Sequence, residues 1–366
     1  MSGRVRLAIA HLGAALPLVA ILALIATGVT TVLGPGASLF ATTLFINIIL
    51  VVSLQVFVGN SGIVSFGHGA FIATGAYVSG LLTLPVEVKA AALPRLPEFL
   101  AAIELPLLPA TAISALVAGF VAFLVGVPTA RLVGAAASIA TFAFLVITNG
   151  VLVGAADLTR GTQTFYGLRP LASLDVVLVG AAAVVAAGLA FRRSSFGLRL
   201  QASAEDELAA SASGIDVRQL RLIAWVLSAM ISAVGGAFLA HMLTSFAPST
   251  FYLTQTLALL TMLILGGQRS VTGAVAGTVV VTAVFEGLRR AENGIDLGPL
   301  HFSGMFGLQQ LGLGAFLLIA IRLRREGLLG RRELTLNSLF RRRHQAERPS
   351  LDLSRDGNHV AGGVER

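Results

Sequence analysis

Leu44-Phe45-Ile46-Asn47-Ile48-Ile49-Leu50-Val51-Val52-Ser53-Leu54-Gln55-Val56-Phe57-Val58 runs directly into Gly59-Asn60-Ser61-Gly62-Ile63-Val64-Ser65-Phe66-Gly67-His68-Gly69-Ala70-Phe71. The first part belongs to an apolar run over 37–58, long enough to cross the hydrocarbon region of a bilayer as one helix. The second part breaks that helix. Gly59, Gly62, Gly67 and Gly69 permit backbone angles and close approaches that a Cβ resists. Asn60, Ser61, Ser65 and His68 are then available to satisfy the freed backbone groups or to line a pathway. His68 suits three roles: a structural hydrogen bonder, a proton-active group, or a direct solute contact. The pattern continues through Gly75-Ala76-Tyr77 into another apolar stretch.

The rest of the chain repeats this character. Mean hydropathy is +0.86, and charged residues make up 12% of the sequence against about 25% in a soluble domain. Eighteen acids and 26 bases cannot coat a soluble fold of 366 residues. The runs are too long and too uniformly apolar for a transmembrane barrel, which alternates over about 10 residues per strand. Ten spanning or nearly spanning segments are expected, at 11–33, 37–58, 68–84, 104–128, 133–154, 172–191, 220–241, 252–267, 271–288 and 306–322. The shorter ones suit tilted, discontinuous or partly re-entrant helices. The sequence thus predicts an all-α polytopic membrane protein with about ten transmembrane or partly re-entrant helices.

Arg4 and Arg6 precede the first apolar run, which reads as a spanning helix rather than a cleaved signal peptide because no polar domain follows it. An N-terminus on the cytoplasmic side and ten crossings leave only Lys89, Arg95, Arg160, Arg169, Arg289 and Arg290 of the 26 bases outside, as the positive-inside rule asks. The expected organisation is a cytoplasmic N-terminus over 1–10, a transmembrane unit over 11–330, and a basic, polar cytoplasmic tail over 331–366. Arg341, Arg342 and Arg343 in that tail suit anionic headgroups. The formal charge of +8 sits where a membrane protein carries it, so no nucleic-acid partner is expected. Cysteine is absent, which removes disulfides and thiolate chemistry. The 40 glycines allow helices to approach closely in lipid.

Two connections stand out. The link over 194–216 holds Ser194-Ser195-Phe196-Gly197-Leu198-Arg199, then the acids Glu205-Asp206-Glu207, then Ser213-Gly214-Ile215-Asp216. Its middle reads as a short amphipathic helix with acids on its early turns, closed by Gly214 as a C-terminal cap. It could present a rigid face to another protein or serve as a plain solvated linker. The second connection, Leu265-Gly266-Gly267-Gln268-Arg269-Ser270-Val271-Thr272-Gly273, lacks the Gly-Lys-Ser/Thr ending of a phosphate loop and reads as a tight turn between spans. No catalytic carboxylate pair, HExxH motif or spaced histidine set occurs. The chain is therefore not expected to be an enzyme by itself, nor to hold a metal or cofactor.

Gly59 through Tyr77, Phe196-Gly197-Leu198-Arg199, Glu205 through Ile215, Ile264-Leu265-Gly266-Gly267 and Arg325-Glu326-Gly327-Leu328-Leu329-Gly330 together resemble the LivM-type permease subunits of bacterial ABC importers for branched-chain amino acids. The resemblance covers about 45–330. It departs from the pattern at Ala204, Arg160, Gln268-Arg269-Ser270 and Gly273-Ala274, so another amino acid, an amide or another small polar solute is an open alternative.

The resemblance implies an ABC importer permease fold working by alternating access in the bacterial inner membrane, with both termini cytoplasmic. It implies a homologous permease partner, a periplasmic solute-binding protein and two cytoplasmic ATPase subunits that carry ATP and Mg. Phe196, Gly197, Arg199, Glu205, Asp206, Glu207 and Gly214 would couple to the ATPase. Gly59, Asn60, Gly62, Ser65, Gly67, His68, Gly69 and Tyr77 are the pathway or broken-helix candidates. An ion-coupled secondary transporter and a structural membrane scaffold are the rival readings.

Overall fold

The computed structural model describes residues 37–292 continuously, with scattered positions before them and after them as far as Glu333. Most of the expected segments over 11–33 and 306–322, the N-terminus over 1–10 and most of the tail over 331–366 lie outside the described residues.

Helix α1 spans Ala37–Leu54 and widens into a π-turn over Gln55–Gly59. Helix α2, His68–Thr83, follows the glycine-rich break. Pro85 ends it, since proline cannot continue the ladder and biases its predecessor to extended backbone. The short α3 (Val86–Ala92) leaves at 116° to α2. Next come α4 (Glu98–Ala101), α5 (Leu107–Thr129), α6 (Gly134–Gly154), α7 (Ala156–Thr159) and α8 (Leu174–Arg193). Helices α9 (Ser195–Glu205) and α10 (Glu207–Ala212) form the next connection. They lead to α11 (Val217–Leu243), α12 (Leu253–Gly266) and α13 (Val271–Glu292).

Seven of these helices are long and apolar enough to cross a membrane, or eight if the bent pair α2–α3 is one span. The described part is thus a polytopic helical membrane protein, and the number ten is not reached within it. One departure from an all-α chain follows α13, an antiparallel hairpin of β1 (Ile295–Leu297) and β2 (Leu300–Phe302).

Two helices organise the bundle. Helix α11 packs on α2, α5 and α1, while α1 packs on α8, α11, α13 and α12. In lipid, apolar surface gains little from meeting apolar surface, so the bundle depends on close packing. A Cβ on Gly75 would overlap the backbone of Ala233, and one on Gly236 would overlap that of Ile72. These two glycines let α2 and α11 approach main chain to main chain. Helices α5 and α6 instead turn Leu116, Phe120, Phe123, Ile139, Ile147 and Val151 outward, the apolar exterior that contact with lipid requires.

Lys89, counted among the loop bases, is 1% exposed. Its ammonium donates to the carbonyls of Leu100 (3.1 Å) and Ile103, satisfying the turn after α4. Arg169 pairs with Glu104 at 3.2 Å on the same end of the bundle.

Candidate functional site

The N-terminal half of α1, the last turns of α11, the start of α12 and the C-terminal half of α13 enclose a cleft of about 610 Å³. Each helix offers one face, at spacings of three and four residues. Leu39, Phe40, Thr43 and Asn47 come from α1, and Thr282, Phe285, Glu286 and Arg289 from α13. Gln255, Ala258 and Met262 come from α12, and Leu239, Met242 and Leu243 from α11. Helices α1 and α13 run in opposite directions, so their residues form levels. Asn47 meets Thr282 at the floor, its Nδ2 donating to the threonine Oγ1 at 3.4 Å. At the rim, Glu286 accepts from Arg289 Nε (2.8 Å) and Nη2 (2.9 Å) and from Arg290 Nε (2.7 Å).

The candidates from Gly59 to Tyr77 do not line this cleft. His68 is wholly buried, with Nδ1 3.0 Å from Ser65 Oγ and Nε2 3.2 Å from Ser228 Oγ. The Ser228 hydroxyl gives its proton to the Trp225 carbonyl at 2.9 Å, so it accepts from Nε2–H and Ser65 donates to Nδ1. Phe57, Phe71 and Trp225 surround the imidazole. Gly67 lies against Trp225 and Thr141, and Gly69 against Phe251 and Thr256. Tyr77 packs edge-on to Phe165, Phe246 and Phe251. There the main chains of Phe165 and Phe246 exchange hydrogen bonds of 2.7 and 3.0 Å.

Gly59 and Asn60 sit instead at the opposite end of the bundle, beside α9. With Arg192, Gln201, Ala204, Glu205 and Arg269 they line a polar pocket of about 70 Å³. Gly62 faces Ala204. Arg192 is the hub. Its Nη1 donates to Asn60 Oδ1 at 3.2 Å, while Asn60 Nδ2 donates to the π-turn carbonyl of Val56 at 2.9 Å. Arg192 Nε lies 3.2 Å from Glu333, with both side chains largely buried. The Glu333 carboxylate also accepts from the N–H groups of Val271 (2.7 Å) and Thr272 (3.0 Å) and from the Thr272 hydroxyl (2.6 Å). It therefore caps α13 where the helix dipole favours an anion. Gln201 Nε2 donates to the Arg192 carbonyl at 2.9 Å, and Glu205 pairs with Arg269 in the α12–α13 turn. Leu328 N–H donates to Leu265 O at 2.8 Å, laying the segment around Gly327 over that turn.

The link over 194–216 forms two helices where the sequence suggests one. Asp206 adopts extended backbone and caps α10 by accepting from the Ala209 N–H at 2.9 Å, so the chain bends between Glu205 and Glu207. Gly197 packs against the carbonyls that end α8. Gly214 has φ +79°, and the Ile215 N–H donates to Ala210 O at 3.1 Å, a left-handed helix end. Glu207 takes both terminal nitrogens of Arg221 at 3.1 and 2.8 Å. The outer face carries Arg199, Phe196 and Leu208, and Leu208 is 84% exposed.

Arg192, Glu333 and the cleft lining were not singled out from the sequence. A buried arginine after an apolar run and isolated Asn47 and Gln255 within spans were the available signals. Among the described residues no group of three or more His, Cys, Asp or Glu could hold a metal ion.

The protein family described as branched-chain amino acid transport system / permease component matches residues 36–308. The high-affinity branched-chain amino acid transport system permease protein LivM of Escherichia coli is 26% identical over 283 residues, covering 68% of this chain and 63% of that one. The probable branched-chain amino acid transport permease protein LivH of Methanocaldococcus jannaschii is 30% identical over 117 residues, 32% of this chain and 35% of its own. The L-arabinose transport system permease protein AraH of E. coli is 30% identical over 155 residues, 42% and 45%. The chain thus aligns to less than two thirds of the length of these relatives. No solved structure matches at comparable significance.

Proposed function

The chain belongs to the branched-chain amino acid transport system / permease component family, and on that premise we propose that it is the membrane-spanning half of an ATP-driven importer for branched-chain or related small amino acids. The observation that carries this reading is the cleft, which opens between four helices that all lie within the matched region. Solute would descend along α1 and α13 as the bundle alternates between outward and inward openings. Two LivM proteins and one LivH are named for branched-chain amino acids, which supports that solute class over the sugar in the name of AraH.

In this reading the α9–α10 end faces the cytoplasm of a bacterial cell and the cleft faces the periplasm. A second permease subunit completes the pathway, a solute-binding protein delivers the solute, and two ATPase subunits press on α9 and α10. Phe196, Arg199 and Leu208 offer the docking face. Gly197, Glu205, Asp206, Glu207 and Gly214 give it rigidity through the helix caps and the pairs with Arg269 and Arg221. Push on α9 passes through Gln201 and Arg192 to the π-turn of α1 and the start of α13, the two helices that form opposite walls of the cleft. Gly59, Asn60 and Gly62 would act in this relay, and Ser65, Gly67, His68, Gly69 and Tyr77 in holding α2 beside it.

The docking face is tested by co-purification with the ATPase subunits. Phe196→Asp and Leu208→Asp are expected to leave the membrane-inserted chain intact and to abolish retention of the ATPase. Undiminished retention in the double variant would remove α9–α10 from the motor contact.

A further inference from the structure

Charge is unevenly placed along the cleft. The rim holds Glu286, Arg289 and Arg290, while the floor at Asn47 and Thr282 is neutral. Thr282 and Arg289 are seven residues apart on one helix face, so rim and floor are separated by about 10 Å. Met242, Met262 and Phe285 give the wall an apolar patch, beside the uncharged Thr43 and Gln255. Both carboxylate oxygens of Glu286 are occupied by arginine N–H donors, which leaves it poorly placed to receive a cation. Two guanidinium groups share the one carboxylate that lines the cleft, while Glu292, the other acid of this helix end, accepts from the Gly307 N–H at 2.9 Å and does not line it. Of the two arginines only Arg289 lines the cleft. It spends Nε and Nη2 on Glu286, and a guanidinium has five N–H donors in all.

We propose that Arg289 receives the carboxylate of the solute as it enters the cleft, with Glu286 as the positioning residue that holds the guanidinium at the rim. The remaining donors of Arg289 suit a charge-assisted bond to a carboxylate oxygen. The apolar patch below takes the solute's side chain, and the neutral floor gives no advantage to a second charge there. The site therefore selects a small solute with one carboxylate and an apolar body. This assignment rests on the reading of the cleft as the solute path.

The native chain has no cysteine, so Ala258→Cys places a single thiol of this chain on the cleft wall. In the assembled complex in proteoliposomes, the modification rate of that thiol is compared between a sulfonate-bearing and a trimethylammonium-bearing methanethiosulfonate, each normalised to its rate with a free thiol. The anionic reagent is expected to react about 10-fold faster than the cationic one, the focusing that a charged cleft produces. Arg289→Gln should bring the ratio to about 1 and Arg289→Lys should largely keep it. Leucine should slow the reaction in the parent and not in Arg289→Gln, while leucinamide slows neither. Equal rates for the two reagents that Arg289→Gln does not alter would overturn the role of Arg289 and leave the cleft as the path. A thiol that neither reagent reaches, although it titrates after denaturation, would overturn the reading of the cleft itself.

Discussion

Glu333 joins two elements with one carboxylate, since it caps α13 and pairs with Arg192. Removing it strands a largely buried guanidinium and two helix N–H groups, and a lost cap alone costs about 0.5–2 kcal/mol. Glu333→Ala is therefore expected to lower the thermal stability of the purified complex and to reduce uptake per ATP hydrolysed. Glu333→Gln, which can still accept from the helix, should restore most of the stability and less of the coupling. Uptake per ATP unchanged in both variants would show that the network is only structural. His68 presents the opposite case. Both its nitrogens are engaged by serine hydroxyls in an aromatic cage, a geometry that suits the structural role among the three its sequence context allowed. His68→Gln should cost about 1–3 kcal/mol for the disturbed bonds while leaving the shape of the pH profile of uptake unaltered. Loss of either limb of that profile would make His68 a proton carrier instead.

At the scale of elements, the α2–α11 contact is the firmest prediction. Gly236 lies where a Cβ would overlap the Ile72 backbone, whereas Gly150 has nothing within 4 Å. Gly236→Val should destabilise the bundle by about 3 kcal/mol, the upper range for overpacking, and Gly150→Ala should be neutral or mildly stabilising through helix propensity. Thermal unfolding in detergent reads both, and equal effects would mean that α2 and α11 do not meet as described. The same elements show what was legible in the sequence. Hydrophobic length placed α1, α2, α5, α6, α8, α11, α12 and α13 to within a few residues, because each span announces itself locally. The glycines after Val58 announced a break for the same reason. The bend at Asp206 was less visible, since an aspartate among acids reads equally well as a first-turn residue or as a cap.

For the whole molecule, the cleft was not legible at all. Thr43 and Asn47 on α1 are distant in sequence from Gln255, Thr282 and Arg289 on α12 and α13, and only packing brings them to one surface. Arg289 looked like a loop base until α13 extended to Glu292 and carried it to the rim. The polar network around Arg192 was hidden likewise, because its partners Asn60 and Glu333 lie 132 and 141 positions away in sequence. What emerges is a division along one axis, with the α9–α10 pair, the proposed motor contact, at one end, a cleft at the other, and α1 and α13 running between them. The central claim is that an external ATPase drives transport through this frame. Uptake of labelled leucine into proteoliposomes should require the chain together with its partner permease, the ATPase subunits, solute-binding protein and ATP inside the motor-facing compartment. It should be absent for the chain alone under any proton or sodium gradient. Gradient-driven uptake by the isolated chain would contradict the account and return it to a secondary transporter.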